Sequence, residues 1–131
     1  MNCLEENEDD HSNILQSICY NNLAEIYIDF PNFKQYDNNI LITDHIIRIL
    51  NNALTFQDTF IIHFNVESMS IADVEKYYGF IKYFSLIMQV TFPNKLQKCY
   101  MYNTPVIFKQ IFAAFSVFID KQSLKKFHIV V

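Results

Sequence analysis

Two hydrophobic periods take turns along this chain. Residues 24–30 alternate, with Ile26, Ile28 and Phe30 on one side and Glu25, Tyr27 and Asp29 on the other, which predicts a half-buried strand. Pro31 ends it, and residues 31–39 read as a loop. The period turns helical over 42–54, where Ile46, Ile49, Leu50, Ala53 and Leu54 share a stripe and Thr43 or Asp44 is placed as N-cap. Phe60, Ile61, Ile62, Phe64 and Val66 then run with little polar relief, the pattern of a central parallel strand covered on both faces. Ser70, with Asp73 three residues on, opens a long helix over 71–91. That helix is apolar nearly all round, so deep burial is expected outside a stripe through Glu75, Gly79, Lys82 and Gln89. Residues 98–103 predict a further strand, with Thr104 as cap and Pro105 at the first position of a helix reaching about 119. Phe108, Ile111, Phe112 and Phe115 fall on one side of it. A short helical connection over 120–126 leads to a last strand at 127–131.

This order predicts an α/β fold: a mostly parallel central sheet with crossover helices, two on one face and a gate-like third helix on the other. Each exposed Phe would forgo about 1.5–3 kcal/mol of burial. The phenylalanine stripe of a helix alone on its face must therefore collapse onto the sheet or be covered by an apolar ligand, for which a long acyl chain would serve. Residues 14–20 form an apolar patch whose conformation the pattern leaves open. One domain is expected over 14–131, after an acidic and disordered tail over 1–13 that carries Glu5, Glu6, Glu8, Asp9 and Asp10.

Composition removes several classes of function. The single glycine, Gly79, sits inside a predicted helix, so no strand is followed by a glycine-rich phosphate cradle. A net charge of −4 supplies no basic face, and nucleic acid is not an expected partner. Cys3, Cys19 and Cys99 form no C-x-x-C pair, which argues against a disulfide framework and a cysteine zinc site. No basic-then-apolar signal opens the chain, and a cytoplasmic location is expected. His11, His45, His63 and His128 lie in different segments, and neither they nor Ser116 or Cys99 assemble a catalytic constellation. The expectation is a non-enzyme with no metal site and no cofactor. Thirteen Phe and eight Tyr accompany abundant Asn, Ile and Lys, a bias that an AT-rich genome would produce. The position of each Phe therefore weighs more than their number.

Several of these stretches together resemble the CRAL-TRIO lipid-binding domain. The family carries Tyr-Pro followed by Leu, a strand ending in Asn-x-Pro-x-x-Phe, a helix, an acidic and Lys-rich connection and a further strand. Similar features here are Phe92-Pro93 with Leu96, Asn103-Thr104-Pro105 with Phe108, the run Phe118-Ile119-Asp120-Lys121-Gln122-Ser123, and Lys125-Lys126-Phe127. Phe92 stands where the family has Tyr, and Asn65 and Glu67 stand where a strand-ending Asp and a Gly are usual. The resemblance covers residues 24–131 and implies an apolar pocket under a mobile gate helix, here 105–119. It implies a bound phospholipid, a phosphoinositide or another glycerophospholipid, that is carried between membranes by a domain transiently associated with their surface. On that expectation Phe108, Ile111, Phe112 and Phe115 contact acyl chains, with Phe64 and Met101 as sheet-side lining. Lys95, Lys98, Lys109, Lys121, Lys125 and Lys126 are the candidate cations for a head group. The alternative is a protein-interaction module with a collapsed pocket, since divergent family members bind small GTPases. A terminal strand at 127–131 with an open edge predicts a homodimer.

Overall fold

The computed structural model describes residues 2–4, 18–20, 24–34 and 39–131. Among the described residues six strands form one sheet in chain order: β1 (Asn2–Leu4), β2 (Ile18–Tyr20), β3 (Ala24–Asp29), β4 (Phe60–Asn65), β5 (Leu96–Tyr102) and β6 (Phe127–Ile129). β3 to β6 are all parallel, and β1 and β2 join the β3 edge antiparallel. The helices are α1 (Phe30–Phe33), α2 (Asn39–Ala53), α3 (Ile71–Thr91), α4 (Phe108–Ser116) and α5 (Lys121–Leu124). The mostly parallel α/β sheet expected from the period changes is thus present. β1 falls in the stretch read as a tail; three residues are too few for a period to show. Residues 5–17 lie outside the described residues. No described helix is long and apolar enough to cross a membrane.

The expected division of helices between two faces is not what forms. Parallel strands laid side by side in chain order, each joined by a right-handed crossover, put every crossover helix on the same face. α3 and α4 accordingly pack on each other. The Tyr78 ring lies 6.1 Å from Phe115 and 5.4 Å from Phe118, and Gln89 Nε2 donates to the Phe118 carbonyl at 3.0 Å. One core unites Ala24 and Ile26 of β3, Ile46 and Leu50 of α2, Val74 and Tyr77 of α3, and Phe108 and Ile111 of α4.

Sharing a face leaves α3 one-sided rather than deeply buried. It buries Val74, Tyr77 and Met88, while Tyr83, Leu86 and Val90 are exposed. On β4, Phe60, Ile62 and Phe64 face the helices, while Ile61, His63 and Asn65 face away, where no described helix packs although Ile61 is buried and His63 and Asn65 are half-buried.

Local chemistry explains the element ends. β3 stops because the Asp29 carboxylate caps α1, accepting from the Asn32 N–H at 3.2 Å, and Pro31 sits in the first turn where a missing N–H is harmless. The expected loop therefore opens as a helical turn that buries Phe30 and Phe33 against Tyr77. α2 starts at Asn39, so Thr43 is buried inside the helix instead of capping it. Ser70 and Asp73 form the reciprocal capping box, with bonds of 3.1 and 2.9 Å. α4 begins at Phe108 rather than Pro105; a turn closed by the Phe108 N–H on the Pro105 carbonyl precedes it, and Ile107 gives no side-chain cap.

The Asn of the Asn-x-Pro junction ties strand ends together. Asn103 takes φ 55°, a left-handed conformation that Asn tolerates better than most residues. Its Nδ2 donates to Asn65 Oδ1 at 3.0 Å, and Asn65 Nδ2 donates to Asp29 Oδ1 at 2.6 Å. The C-terminal ends of β3, β4 and β5 are thereby linked in one chain of side-chain bonds.

Cys99 is buried, and that burial pushes its thiol from the ordinary 9.0 up to about 12. An unfolded chain then releases the thiol proton first, so the folded state is stabilised below pH 9 and loses that advantage as pH rises from 9 towards 12. Each pH unit in that window is expected to cost up to about 1.4 kcal/mol. Urea unfolding between pH 8 and 11 checks this: the wild-type chain should weaken with pH more steeply than Cys99→Ala.

Candidate functional site

An apolar cavity of about 110 Å³ lies where the helices meet the N-terminal ends of the parallel strands. Phe60, Ile62 and Leu96 form its floor on β4 and β5. Phe84, Ser85, Met88 and Gln89 bring one face of α3 to it. Phe92, Pro93 and Asn94 close one end, and Ile119, Ser123 and Phe127 form the far wall. No charged side chain is among these residues.

The turn after α3 sets this geometry. The Phe92 N–H bonds the Met88 carbonyl, which ends the helix, and Asn94 at φ 61° swings the chain back towards the sheet. The Lys95 carbonyl then accepts from the Phe60 N–H at 2.9 Å, and the Phe92 and Phe60 rings meet edge to face at 5.9 Å. At the other wall Asp120 caps α5. Its carboxyl is held below the usual carboxylate range by hydrogen bonds from the Ser123 side chain and backbone.

Ligand pockets for drug-sized molecules run to roughly 300–1,000 Å³, and one water occupies about 30 Å³ of liquid. The cavity therefore admits the end of an alkyl chain and is too small for a whole lipid tail. Its chemistry is that of an apolar recess with two hydroxyls, of Ser85 and Ser123, and two amides, of Gln89 and Asn94, at its side.

The six residues singled out from the sequence come together, but not around this cavity. Phe108, Ile111, Phe115 and Met101 are buried in the core, with Phe64 partly buried against it and paired in register with Met101. Phe112 is half-buried, its ring 6.1 Å from Phe108 and 5.5 Å from Phe127. Phe127 joins the two regions, since it meets Phe112 and also lines the cavity. The cavity instead takes Phe92, Pro93, Leu96, Ile119, Ser123 and Phe127 from the stretches that carry the family resemblance. Those motifs were the signal that could have found it. Among the described residues no group of three or more His, Cys, Asp or Glu side chains is arranged to hold a metal.

Residues 11–131 match the family model of the CRAL/TRIO domain. No curated protein sequence matches the chain. Among solved structures it is similar to the crystal structure of Sfh5, with a TM-score of 0.67 and 16% sequence identity. The match covers 82% of this chain and 42% of that one, so the chain spans less than half of the Sfh5 chain. At that identity the likeness is one of fold.

Proposed function

This chain belongs to the CRAL/TRIO family of lipid-binding domains, and from that premise we propose that it holds the acyl part of a phospholipid between its helix layer and its sheet and carries it between membranes. The observation that supports this reading is the apolar cavity, bounded by the residues of the family motifs. A tail longer than the cavity enters by displacing α4, a helix of nine residues with no side-chain cap at its start. Phe108, Ile111, Phe112 and Phe115 then leave the core for the ligand, and Phe64 and Met101 become its sheet-side contacts. Burial of the tail replaces the burial these side chains give up, at about 25 cal/mol per Å².

Lys95, Lys121 and Lys125 are exposed and flank the cavity residues Asn94, Leu96 and Ser123 in sequence, which suits an anionic head group such as that of a phosphoinositide. Organic extraction of the chain purified from a membrane-rich source, followed by mass spectrometry, tests the reading. A phospholipid near one per chain is the expected result, and a lipid-free chain that also takes up none from vesicles overturns it. Reversing Lys95, Lys121 and Lys125 to Glu together is expected to abolish co-sedimentation with phosphoinositide vesicles at low salt.

The close packing of Phe108, Ile111 and Phe115 favours a second reading, a protein-interaction module whose pocket has collapsed. Under it the extraction yields no lipid while the stripe remains necessary for folding.

A further inference from the structure

The face of the sheet that bears no described helix is not a featureless polar surface. Strand register sorts its side chains into three rows: Glu25, Ile61 and Lys98; then Tyr27, His63, Tyr100 and His128; then Asp29, Asn65 and Tyr102. The middle row is a band of rings across four strands. Tyr27 stacks on His63 at 4.2 Å with planes 8° apart, Tyr100 lies 5.5 Å from His63, and His128 lies 5.8 Å from Tyr100.

This band is locked in place. His63 bonds Glu25 through Nε2 at 2.5 Å and the Tyr102 hydroxyl through Nδ1 at 2.6 Å. Burial, with Tyr100 and Glu25 adding to it, pushes the Tyr102 phenol up, so the hydroxyl keeps its proton. The Glu25 carboxylate only accepts, so Nε2–H donates to it. Rings held this way lose little rotamer freedom when another surface covers them, and Tyr is a residue that interfaces favour. Tyr27 is still 40% exposed. Parallel sheets are ordinarily covered on both faces.

Charge on this face has a direction. Glu25 and Asp29 lie on β3, one strand to one side of β4. Lys98 lies on β5, one strand to the other side, with its Nζ 3.4 Å from His128 Nε2. A two-fold axis parallel to β4, between two such faces, brings β3 of one copy opposite β5 of the other at the same height. Glu25 then meets Lys98 of the second copy, and Tyr27 meets Tyr100 of the second copy, each pair occurring twice by symmetry. Such sheets would stack about 10 Å apart. The geometry points to this face as a docking surface for a second copy of the chain, giving an isologous dimer in which the rings form the core and the Glu25 and Lys98 pairs set the register.

This dimer differs from the one expected through the edge of β6, and it leaves the cavity on the far side of the sheet free. Sedimentation velocity of the full chain over a wide concentration range, with a charge swap, tests it. The wild-type chain is expected to dimerise. Glu25→Lys and Lys98→Glu each place like charges opposite one another, and each should weaken self-association about ten-fold or more. An equal mixture of the two variants should restore the dimer as a heterodimer, because both symmetric pairs become complementary again. Should Glu25→Lys fail to fold for want of its bond to His63, Lys98→Glu and Tyr27→Ala both leave that bond intact, and both should weaken the dimer while keeping the wild-type circular dichroism spectrum. A wild-type chain that stays monomeric, a dimer unaffected by these substitutions, or a mixture of folded charge variants that does not reassociate overturns the proposal.

Discussion

Replacing Phe108 by alanine is expected to lower the free energy of unfolding by about 3–5 kcal/mol, because a buried aromatic ring is lost and the surrounding core cannot fully collapse into its place. Phe108 is 5% exposed and lies in the shared core with Met101 and Ile111, at the first turn of α4. Urea denaturation of the wild-type chain and Phe108→Ala measures the effect, and a change under 1 kcal/mol would show that α4 is not docked as described. Phe112→Ala is the informative companion. It removes a half-buried ring that touches Phe108 and Phe127, so a smaller loss of stability is expected. If α4 forms the wall of an enlarged lipid pocket, Phe112→Ala also reduces the lipid recovered by extraction while leaving the chain folded. If the pocket has collapsed, the two substitutions differ only in stability.

Asp29→Ala is expected to cost about 2–4 kcal/mol, more than a helix cap alone. One carboxylate oxygen accepts from the Asn32 N–H and starts α1, a contribution of roughly 0.5–2 kcal/mol. The other accepts from Asn65 Nδ2, and removing it strands a part-buried amide, which costs about 1–3 kcal/mol. Asn103 depends on the same chain of bonds through Asn65 Oδ1. Asp29→Asn can still accept from one donor and should retain part of the stability, whereas Asp29→Leu should not. Thermal unfolding of the three variants ranks them, and equal melting temperatures for Asp29→Asn and Asp29→Ala would contradict the account.

Much of the fold was legible because local rules and the final structure agree. Alternation over 24–29 marks which side of β3 is apolar, and Ser70 with Asp73 marks the start of α3 through bonds made within four residues. Legibility failed where a second, competing local pattern existed. Pro105 looks like a helix start, but the chain spends residues 105–107 on a turn before α4 begins. Thr43 looks like a cap and is buried one turn inside α2.

The candidate site was legible only through its motifs. The phenylalanine stripe drew attention by its spacing, yet spacing identifies an apolar side without saying what that side meets. Here it meets Tyr78 and Phe127. The cavity is a gap left between α3, the α3–β5 turn, the strand starts and the α4–β6 connection, segments up to 67 residues apart from Phe60 to Phe127. No periodicity within one segment encodes such a gap.

Element type and inward side were set locally, since backbone hydrogen bonding and the 2.0 and 3.6 residue periods act over a few neighbours. Which face of the sheet each helix covers was settled at a longer range, by strand order together with the right-handed crossover, and periodicity carries no information about strand order. That one global choice places α2, α3 and α4 on a single side, leaves the outer stripe of α3 exposed, and turns Glu25, Tyr27, His63 and Lys98 into a continuous surface that no stretch of the chain reveals when read alone.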